Sequence, residues 1–211
     1  MRPRDGRRAL YKLLSVLLQY PGDEVEGAHS ELEAASRQCA AGAQRELSHF
    51  LAYWEATPWP RLREEYVATF DLQRRCSLYL TYFTHGDTRR RGQELLRLKW
   101  LYRAAGLELE GPELPDYLPV MLEFASLVGG GAGREVLQEQ RMGLEVLWLR
   151  LNELDSPYAH LIQLIRRSVA PLAASQLEVV RRLIQDGPPA EAVGLRPFAP
   201  PEVMPWAEVH R

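Results

Sequence analysis

His85-Gly86-Asp87 sets an imidazole and a carboxylate two residues apart, a pair that could hold a metal ion or move a proton. No other His or Cys follows at ligand spacing, because His29, His49, His160 and His210 are scattered, so the sequence assigns no metal and no catalytic residue. The same three residues also read as a turn, with Gly for an unusual backbone angle and Asp as a helix cap. Cys76 precedes this triplet in an aromatic run beside Arg75, with no activating arrangement, and reads as a buried structural thiol. A second chemical cluster is acidic. Asp116 and Glu123 are seven residues apart, a spacing that puts both on one face if a helix spans them. Glycosidases also use two carboxylates, but nothing else here suggests a sugar site. Carboxylates beside apolar side chains instead suit a basic, amphipathic peptide.

A basic cluster completes the set. Arg89, Arg90 and Arg91 open a long segment in which Arg97, Lys99 and Arg103 follow, against only Asp87 and Glu94. Three arginines at a helix start oppose the macrodipole. On a helical wheel Arg89, Gln93, Leu96 and Trp100 share a face opposite the stripe Leu95, Leu98, Tyr102 and Ala105. An aromatic among arginines could stack on bases or dock a protein partner. The whole chain carries a formal charge of −2, which argues against nucleic acid as the partner. Gly129-Gly130-Gly131-Ala132-Gly133 lacks the Lys-Ser/Thr ending of a phosphate loop and reads as a flexible joint, through which copies could exchange helices.

These residues need elements to position them. At 211 residues, 46% hydrophobic and 26% charged, the chain has the proportions of one soluble globular domain, and two cysteines exclude a disulfide framework. No segment reaches the apolar length of a membrane span. The basic start before Leu13-Leu14 imitates a signal peptide, yet it ends at Tyr20-Pro21-Gly22 without a small-residue cleavage site. A cytoplasmic chain is the expectation. The apolar spacing is helical throughout. Leu10, Leu13, Leu14, Leu17 and Leu18 form one stripe, and Leu47, Phe50, Leu51 and Trp54 another. Further helices are expected over about 28–41, 60–70, 75–84, from Asp87 or Thr88 to Gly106, and 115–128. A helix of roughly 20 residues should follow the glycine run, with two more after Ser156-Pro157, where Ser caps and Pro opens the helix. Pro119 fits only in a first turn. The fold class is all-α, a bundle-like domain of about eight to ten helices over 1–186, with a proline-rich tail at 187–211.

Two of these stretches carry a resemblance. Tyr79-Leu80-Thr81-Tyr82-Phe83-Thr84-His85-Gly86-Asp87-Thr88-Arg89-Arg90-Arg91-Gly92 and Glu113-Leu114-Pro115-Asp116-Tyr117-Leu118-Pro119-Val120-Met121-Leu122-Glu123-Phe124 closely resemble the signatures of the nitrate reductase delta-subunit (NarJ-type) chaperones. Tyr20-Pro21 and Ser156-Pro157-Tyr158-Ala159 add support, and the likeness spans roughly 9–172. The resemblance implies an all-helical fold shared with TorD-like chaperones, no enzymatic activity and no cofactor of its own. It implies a partner: the N-terminal segment and cofactor-free form of a molybdenum reductase catalytic subunit. The chaperone would hold that subunit open for cofactor insertion and delay its docking on the membrane anchor.

In the wider superfamily a Glu-x-Pro-Asp-His pattern is tied to peptide binding. Glu113, Pro115 and Asp116 match it, and Tyr117 stands where the His would be, a side chain that does not titrate near neutral pH. On this reading Glu113, Asp116, Tyr117, Leu118, Pro119 and Glu123 would face the client peptide, with Asp116 and Glu123 holding its positive groups. His85 and Asp87 would fix the adjoining turn. Arg89, Arg90, Arg91 and Trp100 would make a second client contact. Two alternatives stay open: a chaperone for a different molybdenum oxidoreductase, and a metal-dependent enzyme using these carboxylates.

Overall fold

The computed structural model describes residues 3–128 and 130–190. Eleven α-helices and no strand occur among the described residues: α1 (Pro3–Leu17), α2 (His29–Arg37), α3 (Ala41–Ala56), α4 (Trp59–Tyr66), α5 (Leu80–His85), α6 (Arg89–Ala104), α7 (Leu118–Val128), α8 (Gly130–Glu139), α9 (Arg141–Glu153), α10 (Tyr158–Ser168) and α11 (Ala174–Asp186). The number slightly exceeds the expected eight to ten. A π-helical turn, Val67–Asp71, continues α4, and a 3₁₀ turn covers Arg74–Cys76.

The centre of the bundle is α7. Its sequence, Leu-Pro-Val-Met-Leu-Glu-Phe-Ala-Ser-Leu-Val, is apolar around most of its circumference, and Leu118, Met121, Leu122 and Ala125 are buried. Helices of this kind are stable only when neighbours cover several faces. The most extensive cover is α1, where Leu13, Leu14 and Leu17, with Leu18 just past its end, are the buried members of the expected stripe and Leu10 is half-buried. Ser15 on that face donates to the Pro119 carbonyl at 2.9 Å, and Arg8 donates to the carbonyls of Ser126 and Leu127 at the α7 C-terminus. Each fully buried leucine contributes roughly 1.5–3 kcal/mol relative to exposure. The other half of the core is aromatic: Phe50, Tyr66, Phe70 and Tyr158 meet edge-on or tilted, with centroids 4.8–6.0 Å apart.

Four local expectations are corrected. Residues 130–133 are not a joint, because Gly130 already begins α8; Gly133 then lets α8 press on Ala125, where an added Cβ would lie 2.7 Å from its Cα. The expected 20-residue helix is two helices that break at Gln140. Leu137, Leu144, Leu147 and Leu151 are buried as the stripe requires, but Leu154 lies past the end of α9 and is exposed. Ser156 does not cap α10: Pro157 takes that position, without a side-chain cap. Residues 113–117 are not helical, since Pro115 and Pro119 restrict that stretch and α7 begins at Leu118. The tail at 191–211 lies outside the described residues.

Candidate functional site

The two long motifs cross. Tyr79 and Tyr117 form an antiparallel bridge, in which the Leu80 amide donates to the Asp116 carbonyl at 3.1 Å and the Leu118 amide to the Leu78 carbonyl at 2.9 Å. One chain thereby leads into α5 and the other into α7, so both helix starts are fixed by one pair of hydrogen bonds. Gly143 allows α9 to close on this crossing, because a Cβ there would stand 2.8 Å from the Leu80 carbonyl oxygen.

Asp116 is the polar centre of the crossing, and its side chain is 0% exposed. The Thr81 hydroxyl donates to its Oδ2 at 2.5 Å, and the Arg91 Nη2 lies 3.5 Å from the same oxygen. Arg91 also donates to Thr81 Oγ1 at 3.3 Å, reaches Asp87 Oδ1 at 3.5 Å and lies 5.7 Å from the Tyr82 ring centroid. A buried carboxylate needs this kind of pairing to remain charged. Asp116 Oδ1 has no hydrogen-bond partner among the described residues.

The turn that follows α5 is fixed as tightly. Thr88 Oγ1 donates to the His85 carbonyl at 2.8 Å, so Thr88 closes the turn from its side chain rather than capping α6. Gly86 has φ +56°, and a Cβ there would lie 1.6 Å from the Pro189 carbonyl oxygen. The segment after α11 therefore passes directly over this glycine.

Tyrosines form the wall beside Asp116. Tyr66 gives its proton to the Leu18 carbonyl at 3.0 Å, so at 3.1 Å it accepts from Tyr117. Tyr79 donates to Glu113 Oε2 at 2.7 Å, and its ring tilts against Tyr117 with centroids 5.2 Å apart. Burial pushes the Tyr66, Tyr79 and Tyr117 hydroxyls above the ordinary phenol range. All three stay protonated donors at neutral pH.

A different surface lies along the outer side of α7. A cleft of about 270 Å³ runs between α7 and the segment after α6, with Val120, Phe124 and Leu127 on one side and Leu107 and Leu109 on the other. Leu127 is 51% exposed. Glu108, Glu110 and Glu123 supply the charge, and among the described residues no Lys or Arg lines this cleft. Lys12 pairs with Glu123 from α1, with both side chains about half exposed. Tyr102 anchors the far wall by donating to the Pro115 carbonyl at 2.7 Å and packing on Phe124 at 4.5 Å.

The family described as nitrate reductase delta subunit matches residues 33–163, more than half of the chain. The chain belongs to the nitrate reductase delta-subunit family. The nitrate reductase molybdenum cofactor assembly chaperone NarJ of Bacillus subtilis (strain 168) is 37% identical over 160 residues, covering 75% of this chain and 87% of that protein. NarJ of Escherichia coli (strain K12) is 32% identical over 157 residues, covering 72% and 66% of the two chains. The nitrate reductase-like protein NarX of Mycobacterium tuberculosis (strain ATCC 25618 / H37Rv) is 39% identical over 160 residues, which are 24% of its length. A crystal structure of a redox enzyme maturation protein from Archaeoglobus fulgidus shares the fold, with a TM-score of 0.56, 24% identity, and coverage of 76% of this chain and 91% of that one. The two NarJ relatives bear the name of nitrate reductase molybdenum cofactor assembly chaperones.

Within that family setting the motif residues fall into separate groups. Asp87, Arg91, Glu113, Asp116 and Tyr117 surround the crossing and His85 ends α5, whereas Leu118 and Pro119 are buried in the start of α7. Asp116 and Glu123 do not share a helix face, because Asp116 precedes α7. Arg91 turns inward to Asp116, away from the exposed Arg89 and Arg90. Trp100 and Leu96 are 69% and 58% exposed on the outer face of α6. Sequence reasoning missed Thr81 and Tyr66 as partners of the crossing. It also missed Glu108 and Glu110, although the alternation Leu107-Glu108-Leu109-Glu110 directly after the Gly106 stop was a legible signal of an acidic, half-buried strip. Among the described residues no group of three or more His, Cys, Asp or Glu side chains is arranged to hold a metal, and no helix is long and apolar enough to cross a membrane.

Proposed function

We propose that this chain is a cytoplasmic assembly chaperone that binds the N-terminal segment of a nitrate reductase catalytic subunit. It keeps that subunit competent for molybdenum cofactor insertion and delays its docking on the membrane. The observation that carries this reading is the acidic and apolar cleft on α7, found in a member of a family whose relatives assemble this enzyme. A basic, amphipathic segment fits it: its apolar side chains enter between Phe124, Val120 and Leu107, and its cations meet Glu108, Glu110 and Glu123.

The roles divide by burial. Glu123 contacts the client directly, whereas Asp116 acts through Arg91 and Thr81 to hold the two motifs together. Tyr79, Glu113 and Tyr117 form the shoulder of the site, and His85 and Asp87 fix the turn at its edge. The exposed Trp100 and Leu96, with Arg89 and Arg90 on the same helix, make a second contact with the folded body of the client. A bound client is thereby held at two places, which blocks its docking until it is released.

Calorimetric titration with a peptide of about 15 residues, roughly four helical turns, from the N-terminus of the catalytic subunit tests the first contact. Saturable binding is expected. Capture of the cofactor-free subunit without binding of the peptide would overturn the N-terminal assignment and leave the Trp100 face as the main contact.

A further inference from the structure

The segment that carries Glu108 and Glu110 is held at its two ends and not between them. At one end Gly106 turns the chain off α6 with φ +78°; its amide donates to the Arg103 carbonyl at 2.9 Å, and the Leu107 amide donates to the Tyr102 carbonyl at 3.0 Å. A glycine in this conformation is a common stop for a helix. At the other end the Tyr117 amide donates to the Leu114 carbonyl at 3.0 Å, and Glu113 accepts from Tyr79. Among the described residues the backbone of 108–112 makes no hydrogen bond. Its one ionic tie, Arg103 to Glu108 at 3.9 Å, joins two exposed side chains and holds little.

Within 108–112 only Leu109 is half-buried; Glu108, Glu110, Gly111 and Pro112 are exposed. Leu109 lines two cavities at once, the cleft of about 270 Å³ against α7 and another of about 170 Å³ against α6, where Lys99 and Arg103 stand. Tyr102 and Glu108 also line both. The segment thus separates two voids, and side chains that border a void forfeit part of their packing energy. The cleft as it stands is also small. Its volume is that of a cube roughly 6.5 Å on edge, whereas a helix with its side chains is about 10–12 Å across. An amphipathic segment with apolar anchors at i, i+3, i+4 and i+7 needs a longer trough.

We infer that residues 108–112 form a lid, latched by Leu109, that lifts to join the two cavities and admits the client's amphipathic segment to Tyr102, Val120 and Phe124. As a regulator of the peptide cleft, the lid presupposes the client reading given above. The free protein is closed, so the apparent affinity for the peptide is reduced by the fraction of molecules that are open. Gly111 gives access to that fraction. Its φ is +92°, and a Cβ built on it would meet nothing within 4 Å. An L side chain there touches no neighbour and acts only through the backbone angle, which strains the closed lid and is relieved once the segment is free.

The test is Gly111→Ala in the full chain, titrated by calorimetry with the same synthetic N-terminal peptide. Affinity tightened about fivefold or more is expected, because only the closed state is penalised. Lid position is read separately, from the distance between nitroxides on Glu110→Cys and Arg90→Cys, the native Cys39 and Cys76 being buried. That distance should lengthen or broaden in Gly111→Ala without peptide, and with Gly111 in place when peptide saturates the chain. If Gly111→Ala does not fold, Leu109→Ala removes the latch and should also tighten the peptide, whereas a rigid cleft that lost this wall would bind it more weakly. Unchanged or weaker affinity in a folded Gly111→Ala, or a label distance that neither the substitution nor saturating peptide moves, would overturn the lid. A distance that moves in Gly111→Ala, with no peptide bound at any concentration, would support the lid and refute the client assigned to the cleft.

Discussion

The crossing around Asp116 and the cleft around Glu123 lie a few residues apart in sequence and are built on opposite principles. At the crossing, a fully buried carboxylate is held by Thr81 and Arg91, and the backbone pairs across Tyr79 and Tyr117. In the cleft, Glu123 shares its charge with a half-exposed lysine, and Glu108 and Glu110 stand in solvent. Breaking a buried pair leaves an uncompensated charge, whereas surface pairs change stability little. On the proposed reading, the residues around Asp116 build the site, and Glu108, Glu110 and Glu123 meet the client.

Mutations should separate the two regions. Asp116→Ala is expected to have the largest effect: it strands Arg91 and Thr81 and should destabilise the fold by about 3 kcal/mol. For a chain this size that lowers Tm by roughly 6–12 °C in a thermal melt. Gly86→Ala comes next, because the added Cβ would run into the Pro189 carbonyl and the backbone there has φ +56°. A loss of about 2 kcal/mol is expected, with faster protease cleavage around 187–190 as that segment lifts off. Glu123→Gln should leave Tm within about 1 °C and weaken the client peptide by roughly 1 kcal/mol in calorimetry. If Glu123→Gln unfolded the protein and Asp116→Ala spared it, the division would be reversed.

Two smaller effects lie away from both regions. Burial pushes the Cys76 thiol up to about 11, so it should resist alkylation at pH 8 in the folded state and react only on unfolding. His160 is held below its ordinary value by burial and then by the neighbouring His49 and Arg45, against the opposing pull of Glu46. Its neutral form is the one favoured in the fold. The unfolded chain takes up this proton first, so the contribution is full above pH 6.5 and is lost as pH falls below that value. His160→Gln should flatten that part of the stability profile in urea melts at pH 5–7.

The fold class and the core stripes were legible because helical periodicity survives in α1, α3 and α9 without help from partners. Leu13, Leu14, Leu17 and Leu18 declare a buried face in the spacing alone. The glycine run misled because small residues also permit close helix packing, and Gly133 against Ala125 uses that freedom. Asp116 and Glu123 were set on one face because their spacing is helical, but Pro115 and Pro119 end that inference before α7 begins. The partnership of Thr81, Arg91 and Asp116 depends on two segments meeting in space, which no local pattern encodes. Arg91 looked like its neighbours Arg89 and Arg90, and only the crossing distinguishes it.

On the proposed reading, the client's basic N-terminal segment binds the α7 cleft while Asp116 holds the architecture. The most direct test is calorimetry of that peptide against the triple variant Glu108→Gln, Glu110→Gln, Glu123→Gln, with a thermal melt on the same sample. The expected result is affinity weakened at least about tenfold, or roughly 1.4 kcal/mol, with Tm unchanged. Wild-type affinity in a folded triple variant would contradict the claim and move the client elsewhere on the molecule.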